Sequence, residues 1–196
     1  MALDPDQLVV TGSGRVYAGT VGVSTVPATI STAVDTAGTD GWVELGYTSE
    51  AGVTFSFGRD TKEIKGWQSR NPIRQVVTGT PSNFKCELLQ INHATLRLAL
   101  GGGSITGSNP NFTYTPPPAS FRDERAFIVE GYDGDYTYRF IFRKGLNVAT
   151  ASLSFVREDP VMLPIEISIL DDDSTENPWG LQTNDPEIGQ FALVGT

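Results

Sequence analysis

Residues 126–144 read AFIVEGYDGDYTYRFIFRK and carry the clearest secondary-structure signal of the chain. Two apolar runs flank the pair Asp133-Gly134, which suits the positive φ angles of a type I′ turn. The second run places aromatic residues on one face and polar residues on the other: Tyr136, Tyr138, Phe140 and Phe142 against Thr137, Arg139 and Arg143. This stretch therefore predicts an antiparallel hairpin with one buried and one solvent-facing side.

Similar alternation recurs on both sides of the hairpin and predicts a mainly β protein. Residues 52–58, 83–91 and 164–170 alternate apolar with polar side chains, as half-buried strands do. Residues 42–47 and 153–157 predict further strands. Residues 7–23 alternate weakly and contain four glycines, so they predict either a strand with bends or an arm that becomes ordered on a partner. The 21 Gly and 12 Pro are spread along the chain and separate many short strands. We expect a β-sandwich or barrel.

One short helix interrupts the strand pattern. Asn92 can cap a helix that runs to Leu100, and Gly101 supplies the left-handed position that ends it. Leu96, Ala99 and Leu100 fall on one side of this helix and are its predicted buried face.

The chain length of 196 residues suits a single domain, here residues 1–170, followed by an irregular tail at 171–196. Residues 59–74 form a charged excursion that contains Trp67 and lies between two core strands. Two interpretations have about equal weight: a hairpin folded onto its own domain and an arm that binds another protein.

Composition excludes several functional classes. A net charge of −9 argues against wrapping DNA, because that mode needs a basic face. One cysteine, Cys86, and one histidine, His93, exclude a disulfide and Cys- or His-rich metal sites. The first residues show neither a secretory signal nor a membrane span, which favours a protein made in a cytoplasm.

The sequence gives little support for catalytic or cofactor-binding residues. His93 stands at the start of the helix, and Cys86 shares a face with Phe84 and Leu88, so both have structural explanations. The acids at 171–173 and 176 match a calcium loop poorly. Asp133 and Asp135 flank a tight turn, and Gly12-x-Gly14 does not lead into a helix. We expect no enzyme activity, metal or other cofactor.

Three patches resemble the major tail proteins of long non-contractile-tailed bacteriophages, particularly phages of actinobacteria. They are GWVELGYTSE at 41–50 with GVTF at 52–55, Trp67-Gln68-Ser69 with Pro72-Ile73-Arg74, and the helical segment from Asn92 to Gly103. The resemblance spans residues 41–103, about a third of the chain.

This resemblance implies a β-sandwich flanked by one helix, whose sheets join between six subunits in a ring. Stacked rings would form a tail tube through which DNA passes without specific binding. It further implies a tape-measure protein and a tail terminator as partners, a location in the virion tail and assembly in the host cytoplasm. A long loop in this family reaches a neighbouring subunit or ring, and residues 59–74 occupy the matching place.

The site candidates follow from this interpretation. The predicted subunit or ring contacts are Phe55, Phe57, Arg59, Lys62, Ile64, Trp67 and Arg74. Glu87 and Glu166, on the polar faces of alternating strands, are the predicted lumen residues. The alternative is a sandwich that binds carbohydrate or protein, with Trp42, Trp67 or Trp179 stacking on sugar rings.

Overall fold

The computed structural model describes residues 8–34, 41–172 and 177–189. Within them the chain forms twelve strands and two short helices, which confirms the mainly β class. In order they are β1 Ser13–Thr20, β2 Val43–Glu44, β3 Thr48–Phe57, β4 Asp60–Lys65, β5 Pro72–Gly79, β6 Ser82–Leu88, α1 His93–Ala99, β7 Ser104–Ser108, β8 Asn111–Thr115, β9 Glu124–Asp133, β10 Tyr136–Asn147, β11 Leu163–Ile169, β12 Trp179–Thr183 and α2 Pro186–Gly189.

Eight strands form one antiparallel sheet in the order β2-β1-β9-β10-β11-β6-β3, with β12 also paired to β10. The first half of β10 pairs with β12, and its last residues, Gly145–Asn147, pair with β11. An irregularity between Phe142 and Gly145 separates the two halves. Such bulges bend a strand. The sheet accordingly folds over itself, and the ring of Phe55 on β3 stacks on Phe140 of β10 with centroids 4.5 Å apart.

The main core lies between these two layers. Phe84 is fully buried and packs its ring 5.0 Å from Phe142 and 5.4 Å from Phe127. Each such side chain contributes about 1.5–3 kcal/mol when it is removed from water. Cys86 belongs to this cluster, as its position on the apolar face of β6 predicted.

Helix α1 closes one side of the core and begins as predicted. The Asn92 side chain accepts hydrogen bonds from the backbone amides of Ala94 and Thr95. The predicted face was wrong in part, because the buried residues are Thr95, Leu98 and Ala99, whereas Leu96 and Leu100 are half-buried. The helix is turned by about one residue because Leu98 and Ala99 meet the core.

A second cluster covers the outer face of β1, β9 and β10. It contains Tyr17, Trp42, Ala126, Ile128 and Ile141. The connection before β2 lies over it, and the Trp42 indole donates a 2.8 Å hydrogen bond to the Thr25 carbonyl. The sheet is thus buried on both faces here. The prediction that Arg139 faces solvent was wrong, since its side chain is 2% exposed.

Several boundaries differ from the sequence prediction. The turn of the β9–β10 hairpin lies at Gly134 and Asp135, since Asp133 pairs with Tyr136. The predicted strand at 42–47 is reduced to Val43–Glu44, and the one at 153–157 is absent from the described structure. Residues 153–157 have no adjacent strand to pair with among the described residues.

The tail was expected to be irregular, and this was wrong for residues 179–183. They form β12, because β10 is longer than β11 and offers its first half to another strand. Tyr138 further fixes this end by donating a hydrogen bond to the Asp185 carboxylate. Residues 173–176 and 190–196, which include part of the weak calcium candidate, lie outside the described residues.

Candidate functional site

Residues 59–79, called the arm below, form a hairpin that stands off the sandwich. Strands β4 and β5 pair with each other and with no other described strand. They continue the β3–β6 pair outward, because Phe57 pairs with Ser82 and the Gly58 amide bonds the Pro81 carbonyl. Six residues of β4 advance about 20 Å at strand geometry, so the tip projects well beyond the core.

The arm exposes apolar side chains on an element that has no core. Every side chain from residue 59 to 78 is exposed, and that of Trp67 is 99% exposed. The other large apolar side chains exposed there are Ile64, Ile73, Val76 and Val77. A lone two-stranded hairpin is marginal in water, and exposed apolar clusters of this kind mark protein contacts.

The arm also differs from the rest of the chain in charge. It contains five Lys and Arg residues and two Asp and Glu residues, a net charge of +3. Because the whole chain carries −9, the remaining residues carry −12. A basic arm on an acidic body favours contact between the arm of one molecule and the body of another.

The structure separates the predicted contact residues into two groups. Phe55 lies inside the sandwich, whereas Arg59, Lys62, Ile64, Trp67 and Arg74 are all exposed on the arm. Phe57 stands between them at the base of the arm. It is 47% exposed, and its ring centroid is 4.5 Å from that of Trp179.

The two predicted lumen acids share one outward face of the β3–β6–β11 layer. Glu87 is exposed and opposes Pro164 on β11, and Glu166 is half-buried and opposes Lys85 on β6. The Glu166 carboxylate accepts a 3.1 Å hydrogen bond from the Asn83 amide. These side chains therefore belong to a single, partly charged sheet surface.

A cleft of about 800 Å³ opens between the two layers, and we call it the interlayer cleft. Its walls come from the start of β1, the segment from Glu44 to Phe55, and the facing parts of β9 and β10. Apolar side chains line its inner part: Val16, Val53, Phe55, Val129 and Phe140. Sequence reasoning missed this cleft.

Polar and aromatic residues surround the mouth of the interlayer cleft. Tyr47 is 74% exposed and Glu50 is exposed. Glu44 lies 3.9 Å from the guanidinium of Arg15, both largely in solvent. The charged lining residues are three acids, Glu44, Glu50 and Glu130, and one base, Arg15.

The interior contains a buried ion pair between Arg139 and Glu130. The Arg139 Nε lies 2.6 Å from the Glu130 Oε1. The Arg139 guanidinium also donates to the Thr32 carbonyl at 2.9 Å and to the Gln182 side chain at 3.2 Å. The Tyr132 hydroxyl donates to Glu130, and burial beside this carboxylate raises the pKa of the Tyr132 phenol. These hydrogen bonds connect residues 29–32 with strands β9, β10 and β12.

Chemistry for catalysis or metal binding is sparse in the described part of the chain. No group of three His, Cys, Asp or Glu residues is arranged to hold a metal within it. His93 is exposed at the start of α1. Neither described helix has the length and apolar character to cross a membrane.

The buried thiol of Cys86 should be inert. Burial raises its pKa to about 12, so almost no thiolate exists at pH 8. We expect native protein to react with DTNB at least a hundredfold more slowly than protein unfolded in urea. Equal rates in the two states would contradict the core position of this residue.

The three tryptophans of the carbohydrate-binding alternative lie in different places. Trp42 is buried beneath residues 21–34, Trp179 packs against Phe57, and Trp67 is on the arm. The three indole rings therefore do not form one common surface on which a sugar could stack. The geometry therefore supports contact between proteins through the arm better than stacking on a sugar.

Comparison with known proteins shows that the chain is similar to phage tail proteins. A family model described as phage tail tube protein matches residues 1–191. Major tail protein Gp23 of Mycobacterium phage L5 is 26% identical over 178 residues, which cover 85% of this chain and 82% of that protein. The protein of the same name from Mycobacterium phage D29 is 27% identical over 179 residues, with the same coverage.

Proposed function

Since the chain belongs to the phage tail tube protein family, and is thus a structural component of a phage tail, we propose that six copies close into a ring and that stacked rings form the tube through which DNA leaves the capsid. The tube is that of a long non-contractile tail. The proposed work of the chain is assembly alone, without catalysis or a cofactor.

The observation that carries this proposal is the arm. Rings and stacks repeat one contact from subunit to subunit, so each subunit must offer two unlike surfaces that fit each other. The arm is one such surface, because its side chains are exposed and the Trp67 side chain is 99% exposed. Phe57, Arg59, Lys62, Ile64 and Arg74 complete the proposed contact surface, and Phe55 supports it from inside.

The sheet edges support closure between subunits. The strand order begins at β2 and ends at β3, and both are antiparallel strands with one side unpaired in the described sheet. Natural proteins normally pair such edge strands with another strand, cover them or keep them short. Sheets that join between neighbours in a ring would satisfy them, with residues 1–170 as the domain and the tail from 171 adding β12.

Charge supports the passage of DNA without attachment. The acidic chain repels phosphates, so a lumen lined by Glu87 and Glu166 would let the polyanion slide. We place the protein in the virion tail after assembly in the host cytoplasm. A tape-measure protein inside the tube and a terminator at its end are the proposed partners.

Electron microscopy of the purified protein tests the proposal. We expect six-membered rings or tubes at high protein concentration. A reconstruction of these tubes would also locate Glu87 and Glu166 relative to the lumen. A chain that sediments as a monomer across a wide range of salt and protein concentrations, while intact, would refute the ring proposal.

A further inference from the structure

We propose that the arm of one subunit docks in the interlayer cleft of a second copy and places Trp67 inside it. This inference rests on the proposed self-assembly and goes beyond it by naming the receiving surface. The occupant is thus a second copy of this chain.

Position excludes the cleft of the same chain as the receiver. The arm extends the β3–β6 pair past Phe57, whereas the cleft is lined by the earlier part of β3 and by the segment before it. The tip is therefore displaced by about 20 Å in the direction away from its own cleft. A neighbouring subunit can present the same cleft to the tip.

The size and the apolar lining of the interlayer cleft suit the Trp67 side chain. The cleft volume of about 800 Å³ lies within the range of about 300–1,000 Å³ that is typical of pockets for compact groups. Val53, Phe55 and Phe140 are half-buried on its inner wall, so an inserted indole would finish their removal from water. A Trp side chain in such a pocket is a common centre of binding energy.

Charge gives the contact a direction. Lys62 and Lys65 lie on β4, the strand that leads to Trp67, and Glu44 and Glu50 stand at the mouth of the cleft. A net charge of +3 on the arm would meet a body of −12. Opposite charges at the edge of an interface steer encounter and fix its orientation.

Charge reversal tests the pairing. We expect Glu44→Lys with Glu50→Lys to raise the protein concentration needed for assembly at least tenfold, and Lys62→Glu with Lys65→Glu to do the same. The four changes in one chain should restore most of the assembly. Glu158→Lys with Asp159→Lys is the matched control, because both acids are exposed and lie outside the cleft lining.

Cross-linking tests the location directly. In a Cys86→Ser background, tubes built from a mixture of Gln68→Cys and Thr48→Cys chains should give dimers with a short bismaleimide. Normal tubes without this dimer would overturn the docking inference and leave the tube proposal intact. Failure of the unmodified chain to assemble at all would instead overturn the tube proposal, and with it this inference.

The alternative occupants give different products. A cross-link from Thr48→Cys to Phe191→Cys within one chain would assign the cleft to the end of that chain and overturn the inference. Rescue by the combined charge reversals, together with the Gln68–Thr48 cross-link, would support it, because neither result requires any component other than this chain.

Discussion

Replacing Arg139 by methionine is expected to lower the free energy of unfolding by about 3–5 kcal/mol, because removing one partner of a buried ion pair leaves the other charge uncompensated. The Arg139 guanidinium is 2% exposed and bonds Glu130, the Thr32 carbonyl and Gln182. Its loss would release the connection before β2 and strand β12 together. Urea unfolding followed by tryptophan fluorescence measures the change.

Two further variants make this prediction specific. Arg122→Met removes an equal charge from an exposed site and should stay within about 0.5 kcal/mol of the unmodified protein. Adding Glu130→Gln to Arg139→Met removes the stranded charge but keeps an acceptor for Tyr132, so it should recover part of the stability. A change below about 1 kcal/mol for Arg139→Met would show that solvent reaches this cluster.

Local sequence signals predicted the elements whose cause is local. The apolar run that begins at Ala126 and the alternation from Tyr136 to Phe142 predicted both strands of the central hairpin, and Asn92 with Gly101 predicted the start and end of α1. Capping and tight turns depend on a few adjacent residues, so sequence alone can reveal them.

The predictions that were wrong concern residues whose structure depends on contacts distant in the sequence. Alternation shows which residues share a face but not whether the second face is covered, and Arg139 is buried because residues 21–34 lie over it. Residues 153–157 alternate but have no strand beside them in the described structure. Trp179–Thr183 lies in a short, polar, Pro-containing stretch and still forms β12, because β10 supplies an open edge.

Of the two parts of the candidate site, the arm could be predicted from the sequence and the interlayer cleft could not. The arm was visible in the sequence because residues 59–74 are charged and contain Trp67 although they interrupt a run of core strands. The interlayer cleft was not visible, since its lining comes from stretches near 11–16, 44–55, 129–131 and 138–140. Only the folding of the sheet over itself at the bulge in β10 brings these stretches together.

Replacing Lys62–Gln68 by a short Gly-Ser linker is expected to abolish tube formation while the free energy of unfolding stays within about 1 kcal/mol. The replaced side chains are exposed, so the core loses nothing, and a change in loop length costs little. Trp67 and both arm lysines are lost, so the largest proposed contact between subunits disappears. Urea unfolding and electron microscopy of the same preparation measure both effects. A linker of equal length in place of Thr106–Phe112, in the β7–β8 hairpin, is the control and should preserve tubes. Normal tubes from the variant that lacks Lys62–Gln68 would exclude the arm as the assembly contact.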